Sequence, residues 1–282
     1  MKDPAETTVD NPSRAPLVEV VLAAQFRPIS GFSSAHAGLF WNELRNEYGE
    51  LTEAPPLPRR IDPINVPAGF PNFLLALPAA LPRSWPGSRL QMRNGALRRM
   101  VQVQNGFLAY NWWKERGDAY PRYCAIRPEF EELVKRFSRF LSNVPLPAAV
   151  FDQWEVTYVN RIPKGTVWRT PADWGNVLKL LSTPSGSPPD AVMRDFQGTW
   201  QLDLPNQQGR LYIEARGDHS VSVGQDSEDM LLSLTARGSI PEPHAAQHES
   251  LFSRIDGGHD AVVQGFTTYA SQDAKSYWGL SV

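Results

Sequence analysis

The chain has 282 residues, 41% hydrophobic and 11% aromatic, with 28 Lys plus Arg against 30 Asp plus Glu. That composition supports a real core in one large domain or two fused smaller ones, and the balanced charge excludes bulk attraction to nucleic acid or an anionic membrane. A single cysteine, Cys124, excludes an intramolecular disulfide framework and a multi-cysteine zinc site, which fits a reducing cytoplasm.

Residues 1–15 are polar and aperiodic and read as a tail, without the apolar stretch of a signal peptide. In "PLVEVVLAAQF" Val18, Val20, Leu22, Ala24 and Phe26 alternate with Glu19 and Gln25, the period of a half-buried strand. Ser33 or Ser34 then caps a helix carrying Phe40, Trp41, Leu44 and Tyr48 and ending at Gly49. Residues 50–87 are too rich in proline for a helix or a central strand, and are expected to lie over the core by their own apolar residues, as a short hairpin. "FLLALPAAL" within them is too short and proline-broken to span a bilayer.

From 89 to 113 the pattern is a meander of strands, with hairpin signals at Asn94-Gly95 and Asn105-Gly106. Phe130, Leu133, Val134, Phe137, Phe140 and Leu141 recur at helical spacing and define a helix whose apolar stripe must lie on that sheet. "AVFDQWEVTYVNRI" returns as a strand with Trp154, Val156, Tyr158 and Ile162 on one side. A short helix around "ADWGNVLKLL" follows, then strands in "VMRDFQGTWQLDL", "GRLYIEARG" and "DMLLSLTARGSI", and a C-terminal helix over about 258–278. The order predicts an α+β fold in two halves, 16–163 and 164–282, joined as one compact unit. Each half would be an antiparallel sheet with helices on one face, in an order that suggests an old tandem duplication.

The motifs "PLVEVV", "VQVQNGFLAYNWW", "YPRY", "YVNRI" and "HDAVVQGF", in that order, resemble a sporadically distributed family of bacterial proteins of uncharacterised function. The resemblance spans nearly the whole chain from Leu17 and carries over no catalytic residue. The scattered distribution of that family resembles that of accessory genes in mobile or defence loci, which implies an antitoxin-like or defence-associated context.

Candidate chemistry is sparse. His244 and His248 sit four apart, a spacing that suits two metal ligands on a helix, but neighbouring Pro241 and Pro243 favour a helix entry, and no metal site is expected. His259 beside Asp260, after two glycines, is a candidate general base with its carboxylate; capping of the last helix is the simpler role. Cys124 has Arg122 and Arg127 nearby, yet a lone cysteine is more often a small buried hydrophobe. In "NWWKERGDAYPRY" alternation sends Trp112 and Trp113 to opposite faces of a strand. If one is exposed, it forms with Tyr120, Arg122 and Tyr123 a hot-spot composition, Trp112 anchoring and Arg122 orienting. The alternative is that Trp113 is roofed by the proline-rich loop and "YPRY" is a bend into the main helix.

The sequence therefore points to a soluble, cytoplasmic, non-catalytic binding protein with no cofactor and no membrane contact, whose partner is another protein, encoded nearby. A second reading is a small-molecule binder or enzyme with a pocket between sheet and helices, using Tyr158, Asn160, His259 and Asp260. A third is nucleic-acid binding, which requires Arg59, Arg60, Arg93, Arg98 and Arg99 to form one patch.

Overall fold

The protein is described by a computed structural model over residues 14–62, 87–115, 118–181, 193–218, 228–240 and 247–280. Alternation in the first strand, β1 (Leu17–Phe26), decides the architecture: Val20, Leu22, Ala24 and Phe26 are buried among helices, while Glu19 and Gln25 face the other way. The other strands are β2 (Glu50–Ala54), β3 (Arg89–Asn94), β4 (Arg99–Gln104), β5 (Phe107–Trp113), β6 (Phe151–Pro163), β7 (Gln197–Asp203), β8 (Arg210–Asp218) and β9 (Asp229–Ser239). Among the described residues they form one nine-stranded sheet in the order β2-β3-β4-β5-β1-β6-β9-β8-β7. Every neighbouring pair is antiparallel. The α+β class is thus as expected, but the two halves do not build separate sheets. β1 of the first half bonds β6, and β6 bonds β9, so the second half extends the first.

Three longer helices lie on one face: α1 (Ser34–Leu44), α2 (Tyr123–Asn143) and α3 (Gln247–Tyr269). The apolar stripe read from the sequence, Phe130 to Leu141, is buried, with Phe137 packed on both Phe26 and Phe40. In each half a three-strand meander is followed by a long helix: β3-β4-β5 by α2, and β7-β8-β9 by α3. A short helix, α4 (Gln272–Trp278), is capped by Ser271 and docks through Ser271 on the 3-10 turn Pro171–Asn176.

Several boundaries differ from the sequence reading. α1 ends at Leu44, and Trp41 instead donates its indole N–H to the carbonyl of Tyr48, holding the turn that follows. The first meander turn spans four residues rather than two, closed by the Asn94 side chain accepting the Leu97 amide. "ADWGNVLKLL" forms only a 3-10 turn around buried Trp174. Of the proline-rich stretch, 50–54 is a strand rather than part of a separate hairpin, and 63–86 lies outside the described residues.

The final helix begins eleven residues earlier than periodicity suggests, and Tyr277 and Trp278 belong to a separate helix. Gly257 and Gly258, which cost helix propensity, are therefore interior positions. The reason is packing: a Cβ at Gly258 would overlap the ring of Trp154, a fully buried side chain of β6. Replacing Gly258 by Ala should destabilise the fold by about 1–3 kcal/mol through overpacking. Gly38→Ala, in α1 with open space around it, should instead stabilise by about 0.5–1 kcal/mol. Urea midpoints of the two variants check both signs.

Candidate functional site

The segment that joins β5 to α2 carries a backbone outlier. Arg122, at the start of α2, has φ 71 and ψ 158, a region almost reserved for glycine. That kink turns tyrosines on either side of it toward the molecule. Tyr120 packs on Trp112 at 5.1 Å between ring centres, and its hydroxyl is 3.0 Å from that of Tyr158. Tyr158 in turn meets Nδ1 of His259 at 2.9 Å, and Tyr123 lies flat on the His259 ring at 3.8 Å. Tyr123 donates to Asp256 at 2.6 Å, and Asp256 also accepts from Arg127 at 3.2 Å. Burial first, and then Asp256, push the Tyr123 hydroxyl far above its ordinary range, so it remains a donor.

The structure brings Tyr120, Tyr123, Tyr158 and His259 together, as parts of an interior cluster rather than a contact surface. Trp112 is 2% exposed and cannot anchor a partner; it faces the helices because its strand neighbour Val20 does. Trp113, on the opposite face, is half-buried, and Arg122 is exposed. Asn160 is buried two residues beyond Tyr158 and donates to the carbonyl of Leu232. His259 is buried while Asp260 is exposed, so the two do not form an acid–base pair, and neither caps a helix. Cys124 is exposed rather than a buried hydrophobe.

Beside the cluster, a cleft of about 470 Å³ runs between α2 and α3. Its walls include Arg127 and Glu131 from one helix and His248, Phe252 and Asp256 from the other. Arg127 sits over the Phe252 ring and bonds both Asp256 and Glu131, so its charge is internally matched. His248 lies in the first turn of α3, and His244 falls outside the described residues; among the described residues no cluster of three or more metal-type ligands occurs.

The opposite, polar face of the sheet holds what the sequence reading missed. Residues 57–62 cross the strands as an extended strap. Gln104 of β4 accepts from the Leu57 amide and donates to its carbonyl, both at 2.8 Å. Gln25 of β1 does the same for Arg60, at 3.0 and 2.8 Å. Gln153 of β6 accepts from the Asp62 amide at 3.1 Å, and Ser239 of β9 donates to the Asp62 carbonyl at 2.7 Å. The four side chains form one transverse row, because Gln104 pairs Phe107, Phe107 pairs Gln25, Gln25 pairs Gln153, and Gln153 pairs Ser239. Spacings match: two strands span about 10 Å, as do the three extended residues from Leu57 to Arg60. Pro58 biases Leu57 toward the extended form.

The strap ends in a charged anchor. The Asp62 carboxylate, 5% exposed, accepts from Tyr212 and from Arg237, each at 2.5 Å, with Arg210 at 3.7 Å. Arg237 also covers the Tyr212 ring at 4.0 Å. Burial opposes the Arg237 charge, but Asp62 and Tyr212 outweigh it, and the net effect favours the cation. The sequence signal was available: Gln25, Gln104 and Gln153 all occupy the polar side of a strand end.

The five arginines considered for nucleic acid do not act as one uncommitted patch. Arg59 pairs with Asp152, Arg98 with Glu115 and Asp118, and Arg99, nearly buried, with Glu129.

Trp112→Ala should therefore unfold the protein more easily, by about 3–5 kcal/mol, as read by chemical denaturation. Burial, then nearby Lys135, lower the His248 pKa below its ordinary value. The unfolded chain thus binds the proton more tightly, and stability present above the unfolded pKa falls as pH drops through it toward the folded value. His248→Gln should flatten that acid-side loss in a denaturation series from pH 7.5 to 5, about the range where histidine titrates. Against known proteins, no family model matches the chain and no curated protein does, so the functional reading rests on this geometry.

Proposed function

We propose that the chain is a non-catalytic protein-interaction component that binds an extended stretch of another polypeptide on the polar face of its sheet. One observation carries this reading: two glutamine side chains each grip both the N–H and the C=O of a single strap residue, while two further side chains continue the row. A row that reads main chain at strand spacing is suited to any extended segment, and strap residues 57–62 occupy it. Such gripping supplies affinity without chemistry.

A second reading, a small-molecule binder or enzyme, is favoured by one arrangement, the hydrogen-bonded series Tyr120, Tyr158 and His259 on the helix side. The two readings separate by mutation. Arg60→Pro deletes the amide that Gln25 accepts and loosens the strap without touching the sheet. Panned against a random-peptide display library, the full-length Arg60→Pro protein should retain peptides at least about tenfold better than wild type, and adding Gln25→Ala should lose them. Peptides insensitive to Gln25→Ala but lost with His259→Gln would move the site to the helix side. No enriched peptide at all would remove the polypeptide reading.

A further inference from the structure

Resting on that reading, we infer that the Tyr212–Arg210–Arg237 pocket selects the partner: the site takes an extended segment of another protein bearing an aspartate two residues beyond the residue that Gln25 grips. Main-chain gripping is indifferent to sequence, so selectivity must come from a side-chain pocket, and the polar row ends in one. The pocket is cationic, and the carboxylate it holds is 5% exposed. Two of its contacts are direct, charge-assisted hydrogen bonds, one from a phenol and one from a guanidinium. Arg237 is itself only 12% exposed at its side chain, so removing the carboxylate leaves a poorly hydrated cation without its counter-charge. The pocket is fixed to the sheet from three positions: Arg210 and Arg237 are cross-strand partners, and Tyr212 opposes Thr235. An aspartate delivered two residues beyond the gripped residue would meet the same three donors that hold Asp62. In the resting chain it is filled by the chain's own Asp62, so the strap acts as a tethered occupant that a partner must displace.

The test uses full-length Asp62→Ala, which keeps the pocket and removes its resident carboxylate. Two fluorescent probes copy residues 54–62 with blocked ends, one ending in Asp and the other in Asn, and binding is read by anisotropy. Trypsin cleavage after Arg59 and Arg60, compared with wild type, reports strap release. The inference expects faster cleavage, binding of the Asp probe, at least about tenfold weaker binding of the Asn probe, and at least about tenfold weaker binding of either probe by wild type. Equal binding of the two probes by the variant would overturn the carboxylate selection and leave the polypeptide site standing. Binding of neither, with cleavage accelerated, would remove both. Unchanged cleavage would show that Asp62 does not hold the strap and would likewise overturn the inference. A wild-type dimer that Asp62→Ala dissolves would make the occupant the strap of a second copy rather than a segment of a different protein.

Discussion

The pairing of β1 with both β5 and β6 is the constraint on which the rest depends. A strand bonded on both edges has no freedom to slip, and a slip of one residue would exchange its two faces. With the register held, Val20 meets Trp112 on one side and Tyr158 on the other, while Gln25 meets Phe107 and Gln153. One alternation therefore builds both the apolar floor under the helices and the glutamine row on the reverse. The polar face is costly to assemble, since buried amides without partners lose their hydration. The structure answers this with mutual bonding: Gln102 accepts from Arg89 and donates to Asn111, and Asn111 donates to Glu19. Most buried amides on this face are matched in this network, while the Nε atoms of Arg59 and Arg89 are buried there without a partner.

What could be read in the sequence follows the same division. Residues whose role depends on period alone were legible: the buried series of β1, the Phe130–Leu141 stripe, and the opposed directions of Trp112 and Trp113. Residues whose role depends on distant partners were not. Asp62 lies 150 positions from Tyr212 and 175 from Arg237, and no local pattern announces that they meet. The two glycines before His259 looked like a helix start because their reason for being interior, the Trp154 ring, lies on a strand about a hundred residues away. Proline density correctly removed helix from residues 55–62, yet what it provides is an extended segment suited to lying across a sheet. The aromatic segment 112–123 resembled a contact surface because hot spots and cores draw on the same residues; only burial separates them.

The strain at Arg122 belongs to this second category. A residue forced into a glycine-like conformation persists only where its surroundings over-determine it. Here the surroundings are two rings, Tyr120 against Trp112 and Tyr123 against His259, on opposite sides of the kink. Both rings reach the same interior cluster only if the chain turns sharply between them. The cluster then ties the first half of the chain, through Tyr158 and Tyr123, to α3 of the second. The same bonds seat α3 on the sheet.

A strap covalently attached to the sheet it crosses competes differently from a free ligand. Tethering presents it at an effective concentration on the order of millimolar, so a free segment at micromolar concentration must bind the open row far more tightly to take its place. Apparent affinity falls in proportion to the fraction of molecules in which the row is open. Main-chain hydrogen bonds cannot supply the difference, because strap and partner would make the same ones. The advantage has to come from contacts the strap lacks, or from a second attachment elsewhere on the molecule. On the proposed reading the strap sets a threshold: short chance peptides would be refused, and a partner would need further contacts of its own to outcompete it.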